Sequence, residues 1–182
     1  MRLIMNSSYR ILLTISFVLI VGISNAQTKS SFPADFVGNW KGTLEWTQAG
    51  KSEPERVEMQ LNIQPSKDTA GQYTWNLVYG KAATDNRPYI LKVADNTKGH
   101  WQIDEKNGIV LDQFWIANRL CGSFTVKEST INNSYWIENG KLHLEFVSCS
   151  SSALSTTGVG DATVPLVTNY AVKSYQKAVL SK

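Results

Sequence analysis

The sequence predicts an all-β chain folded as an up-and-down antiparallel barrel of eight to ten strands. Three observations predict it: apolar and polar residues alternate with a period of two along most of residues 40–147, a 3.6-residue apolar period is hard to find, and short turns separate the alternating runs. With one apolar and one polar face, such strands must stack as a sandwich or curl into a barrel. Connections of mostly 2 to 9 residues suit a closed meander better than a Greek key with its long return.

Residues 1–26 stand apart. Arg2 and Arg10 flank an apolar run from Ile11 to Val21, and Ser24-Asn25-Ala26 follows with small residues where a signal peptidase cuts. The run is about half the roughly 20 residues that a spanning helix needs. The pattern predicts an export signal cleaved after Ala26 and a single domain over 27–182, soluble and outside the cytoplasm, whether periplasmic or secreted. No cysteine follows the cut, so a lipid anchor is not expected, and no later stretch is long enough to span a bilayer as a helix. Losing Arg2 and Arg10 takes the formal charge from +3 to +1. A nucleic-acid polyanion is therefore not an expected partner, because binding one needs a concentrated basic surface.

The strands follow in order. Trp40, Gly42, Leu44 and Trp46 alternate with polar neighbours up to a turn at Ala49–Ser52, and Val57, Met59, Leu61 and Ile63 form a second run that ends at Pro65. Tyr73, Trp75, Leu77 and Tyr79 mark the third strand, Tyr89, Leu91 and Val93 the fourth, Trp101 and Ile103 a short fifth. Asn107-Gly108 predicts a tight type I′ hairpin into a sixth strand, Ile109–Ile116, whose apolar residues occupy both faces and leave its inward side open. Leu120, Gly122, Phe124 and Val126 mark the seventh. Ile131, Tyr135 and Ile137 mark the eighth, and Asn139-Gly140 turns it into Leu142, Leu144 and Phe146 of the ninth. Residues 150–165, small and mostly uncharged, read as a mobile loop before a last strand near Val167–Tyr175.

The opening of the domain, Phe32-Pro33-Ala34-Asp35-Phe36-Val37-Gly38-Asn39-Trp40, resembles that of lipocalins and the wider calycin group. The resemblance implies a short 3₁₀ turn leading into a Gly-x-Trp motif, Gly38 and Trp40, with Trp40 plugging the closed end of a barrel whose lumen takes a small apolar ligand. It also implies a basic side chain from the last strand packed on that Trp, for which Lys173 or Lys177 could stand. Ten strands exceed the eight of a lipocalin, so a calycin relative is the closer match.

The candidate chemistry is aromatic. Trp46, Tyr73, Trp75, Tyr89, Phe124 and Tyr135 fall on inward faces and are the candidate ligand-binding residues, since rings with polar tips hold an apolar body and orient it. Tyr79 and Trp101 share that face, and Asn133 could add a hydrogen bond. Either the rings fill the lumen, as side chains do in small barrels, or they wall a cavity.

Catalysis finds little support, and no enzyme is expected. His100 and His143 lack a Cys or second His at ligand spacing, so no metal site is expected. His143 should face solvent; only His100 leaves an inward ring, and with it haem ligation, open. No cofactor is expected. Ser174-x-x-Lys177 lacks the further motifs of penicillin-recognising enzymes. Adjacent Asp104 and Glu105 point to opposite faces and cannot act as an acid and base pair. Asn132-Asn133-Ser134 spells a glycosylation acceptor within a strand.

An exported chain meets oxidants, so Cys121 and Cys149 are a possible disulfide. Alternation points both thiols away from the core, while meander pairing places a strand between them. Two functions stay open: a barrel that binds a small hydrophobic ligand, and an interaction or envelope-associated module with a filled barrel and a working loop at 150–165.

Overall fold

The computed structural model describes residues 31–182, so the expected export signal lies outside the described residues. Ten antiparallel strands close into one barrel: β1 (Gly38–Gln48), β2 (Glu55–Ile63), β3 (Gln72–Tyr79), β4 (Asp85–Asp95), β5 (His100–Asp104), β6 (Val110–Ile116), β7 (Arg119–Val126), β8 (Ser129–Glu138), β9 (Lys141–Thr157) and β10 (Val167–Ser181). Each strand pairs with its sequence neighbours, and β1 meets β10 from Lys41↔Ser181 to Gln48↔Ser174. Closure removes the free edges that an open sheet would offer to other chains. Among the described residues no helix is long and apolar enough to cross a membrane.

The alternation has the expected outcome on the core. Leu44 of β1, Met59, Leu61 and Ile63 of β2, Trp75 and Leu77 of β3, Leu142 and Leu144 of β9 and Leu180 of β10 all turn inward and are buried. Gly42 lets β1 approach β10 closely, since a Cβ there would sit 2.5 Å from the Val179 carbonyl oxygen.

One end is sealed. A 3₁₀ turn at Ala34–Phe36 precedes β1, and Trp40, 1% exposed, donates its indole N–H to the Phe36 carbonyl at 2.7 Å. Phe32 stacks on Trp115 at 4.8 Å between centroids and meets Trp101 edge to face at 4.9 Å. The cation over the Trp40 ring is Lys182, its Nζ 4.7 Å from the centroid. Lys177 instead reaches Glu45, and Lys173 binds the Glu128 carbonyl at 2.7 Å.

Turn chemistry is only partly as expected. Asn139 and Gly140 both take positive φ between paired Glu138 and Lys141, as a type I′ turn requires. At Asn107-Gly108 the hairpin forms, but Lys106 and Gly108 take the positive φ values and Glu105 donates to the Ile109 carbonyl. Asn107 uses its side chain to accept from Ile109 N at 2.9 Å, an Asx-type contact that competes with the two-residue turn.

The expected loop at 150–165 is corrected. β9 runs on to Thr157 and β10 begins at Val167, so the first half of that segment, 150–157, is strand and the remainder connects the two strands. β8 accompanies β9 only to Ser150, and β1 accompanies β10 only from Ser174. Beyond those points the two strands pair with each other alone, Tyr170↔Ala153 and Val167↔Thr157, as a two-stranded arm. Small Ser and Thr side chains suggest a loop by composition, yet Thr has a favourable β propensity and the partner strand supplies the hydrogen bonds.

Candidate functional site

Above the sealed end the barrel holds a cavity of about 450 Å³. Its wall comes from most of the strands: Trp46 (β1), Trp75, Leu77 and Tyr79 (β3), Arg87 and Tyr89 (β4), Ile103 (β5), Leu111 and Gln113 (β6), Phe124 (β7), Asn133 and Tyr135 (β8), Phe146 (β9) and Gln176 (β10). Glu105, just past β5, also lines it, while Asp104 beside it bonds Lys92 on the outside at 2.9 Å.

Five of the six rings predicted to line a pocket do so: Trp46, Trp75, Tyr89, Phe124 and Tyr135. Tyr73 does not. It faces inward, two residues nearer the sealed end than Trp75, and packs half-buried against the core beneath the cavity. Alternation assigns a face and carries no information on depth along the barrel axis, so Tyr73 could not be separated from the others by pattern alone.

The inward side of β6, open in the sequence, is settled by Leu111, Gln113 and Trp115. Gln113 is fully buried, and Asn133, 5% exposed, donates its Nδ2 to the Gln113 Oε1 at 2.9 Å. Gln113, Gly122 and Asn133 lie in register across β6, β7 and β8. A Cβ on Gly122 would sit 2.2 Å from Gln113 Nε2 and 2.6 Å from Asn133 Oδ1. The glycine between them is what lets the two amides meet over the intervening strand. Asp112 and Gln113 are adjacent polar residues in an otherwise apolar strand, so alternation does not say which of them turns inward; Gly122 opposite Gln113 is the available signal.

Charge is concentrated at the open end. Arg87 binds Asp85 through Nε at 2.9 Å and lies 4.9 Å from the Tyr79 ring centroid. The hydrogen bond to Asp85 holds the guanidinium charged, and Arg87 in turn holds the Asp85 carboxyl below the usual range. Burial pushes the Tyr79 phenol up to about 12, raises Tyr135 strongly and, with Glu105 nearby, raises Tyr89. The wall thus presents neutral phenols that donate and accept hydrogen bonds.

Two indole donors in this wall, Trp46 Nε1 and Trp75 Nε1, are buried and have no hydrogen-bond partner among the described residues. Each such group costs about 1–3 kcal/mol if nothing accepts its proton. The Trp75 ring meets Tyr135 edge to face at 5.1 Å, and its N–H favours the Tyr135 phenolate slightly without reaching hydrogen-bond geometry.

The histidines lie outside the cavity. His100 stacks on Phe114 at 4.8 Å and pairs with Asp112 at 2.7 Å on the outer wall, which closes the inward alternative that the sequence left open. Its neighbour Trp101 takes the inward place. His143 stacks on Trp136 at 5.1 Å, its side chain 19% exposed, so it is covered more than a solvated imidazole would be.

Cys121 and Cys149 are both free. Cys121 pairs with Ser134 and Cys149 with Thr130 on opposite edges of β8, so a strand separates them and they are staggered by about 13 Å along it. A disulfide needs Cα atoms within about 7 Å, so this one cannot form without breaking the barrel.

No family model and no curated protein matches the sequence. Among solved structures, the chain is similar to a protein of unknown function from the DUF3598 family of Nostoc punctiforme PCC 73102, with a TM-score of 0.58 at 10% identity over 82% of this chain. It spans about half (48%) of that protein's length. It is also similar to the S-type phycobiliprotein lyase CPES from Guillardia theta, with a TM-score of 0.53 at 7% identity, covering 82% of this chain and 89% of that one. At these identities the likeness is one of fold alone, and a calycin-like ten-stranded barrel fits it.

Proposed function

We propose that the chain binds a small, largely apolar molecule in the lumen of its barrel and acts as a binding protein and not as an enzyme. The observation that carries this is the cavity: a ten-stranded barrel that packs its lower half with Trp40, Phe36, Leu61 and Leu142 keeps about 450 Å³ above them, walled by aromatic rings with polar tips. Such a volume falls in the range of small-molecule sites. Removing a ligand's apolar surface from water supplies roughly 25 cal/mol per Å² before the costs of association. The likeness to a phycobiliprotein lyase is consistent with ligand binding. The Arg-flanked apolar run of residues 1–26 supports export, so the ligand would be met outside the cytoplasm.

Native mass spectrometry of protein purified from its own source tests this directly. Co-purified mass that dissociates on activation is the expected result. A bare chain that also fails to quench its Trp fluorescence with apolar probes would end the proposal.

The arm favours a second function, that of an interaction module. Leu154, Val159 and Leu166 on it are 69%, 74% and 62% exposed, and Asp161 is the one charged residue between Ser148 and Val172. Pull-down that is lost on removing the arm but survives filling of the cavity would select this function over the first.

A further inference from the structure

The orphaned indoles say what the lumenal ligand must present. Trp75 is fully buried and lines the cavity, yet its N–H has no acceptor among the described residues; Trp46 Nε1, in the same wall, is in the same condition. An indole nitrogen only donates, and a phenol such as that of neighbouring Tyr135 can donate as well. The buried amide acceptors of the wall are taken, since the Gln113 and Asn133 carbonyl oxygens face each other's amides, and the partnerless Asn76 Oδ1 alternates to the opposite face of β3 from Trp75. An unsatisfied donor at Trp75 selects for an acceptor placed beside it and against hydrocarbon there, which would leave the N–H buried and unpaired. The surrounding rings require the remainder of the molecule to be apolar.

We infer that the ligand is an apolar molecule carrying a carbonyl-type oxygen that accepts a hydrogen bond from the Trp75 indole N–H. The inference rests on the proposal of lumenal binding and sharpens it to a ligand class. The barrel would then discriminate between molecules of one shape that differ in a single acceptor atom. One donated hydrogen bond, with the penalty of an unsatisfied donor removed, is worth on the order of tenfold in affinity.

Benzophenone and diphenylmethane form a suitable probe pair, since they share two phenyl rings and differ in the central carbonyl. Titrated against the intact chain by Trp fluorescence, benzophenone should bind about tenfold more tightly. In Trp75→Phe that preference should vanish, because any loss from the smaller ring falls on both probes alike, and measurable diphenylmethane binding shows that the variant's lumen is formed. In the unmodified chain, the assigned Trp75 indole proton should move downfield with benzophenone and stay in place with diphenylmethane. Equal affinities for the two probes, a preference that survives Trp75→Phe, or an unmoved Trp75 proton would overturn the acceptor inference and leave lumenal binding standing. If neither probe binds, the acceptor inference falls, and lumenal binding falls with it where the purified chain is also bare.

Discussion

Gly122 shows how much a single position can decide. Its missing side chain leaves the space in which Gln113 and Asn133 satisfy each other, and the nearest of their atoms lie well inside contact distance of any added Cβ. Gly122→Ala should therefore lower stability by about 2–4 kcal/mol, combining overpacking with a broken buried amide pair, and urea unfolding followed by Trp fluorescence would measure it. Trp40 is the second such residue. Trp40→Ala removes the largest plug of the sealed end and leaves the Phe36 carbonyl without its donor, so about 3–5 kcal/mol should be lost. Tyr79 gives a pH signature. Its phenol is raised by burial from 10 to about 12, so the folded chain keeps a proton that the unfolded chain releases. The associated stability is present below pH 10 and is lost as pH rises towards 12, at about 1.4 kcal/mol per pH unit. Tyr79→Phe should flatten that alkaline limb in unfolding curves taken from pH 9 to 12; an unchanged slope would place the loss elsewhere.

Among the elements, the β9–β10 arm behaves differently from the barrel strands. A hairpin with neither edge paired is marginal in water, and this one is fastened at its base where Lys173 holds the Glu128 carbonyl and Ser129 hydroxyl. At its tip the Asp161 carboxylate accepts from the backbone N–H groups of Thr163 and Val164. Those contacts are local to the arm. Replacing residues 151–172 with a short Gly-containing turn should therefore leave barrel stability within about 1 kcal/mol, because the pairing to β8 and β1 ends at Ser150 and Ser174. Brief chymotrypsin digestion should cut at Leu154, Leu166 or Tyr170 before any barrel strand. First cleavage within β3 or β8 would contradict this ranking. The arm leaves the barrel where Ser148 and Ser174 line the cavity, so its removal also tests whether it contributes to the lumen's mouth.

At the scale of the whole molecule, closure of β1 on β10 couples both ends of the described chain. Leu180 is fully buried and Ala178 nearly so, while the Lys182 side chain crosses Trp40. Deleting residues 177–182 would open the barrel next to its plug and should abolish cooperative unfolding, visible as a broad thermal transition by near-UV circular dichroism.

The local sequence by itself determined the all-β class, the turn positions at Ala49–Ser52 and Asn139-Gly140, and the inward face of most strands, because each depends on residues adjacent in the chain. It therefore named Trp46, Trp75, Tyr89, Phe124 and Tyr135 as lumen residues. Tertiary structure alone decided how far up the axis each ring sits, which removed Tyr73 from the wall, and which last-strand cation meets Trp40. It also decided that β6 turns Gln113 inward, that β8 keeps Cys121 and Cys149 apart, and that residues 150–157 are strand. These features depend on register and on partners brought from tens of residues away. A local repeat assigns each side chain a face; only the closed set of strand pairings assigns it a depth and a neighbour.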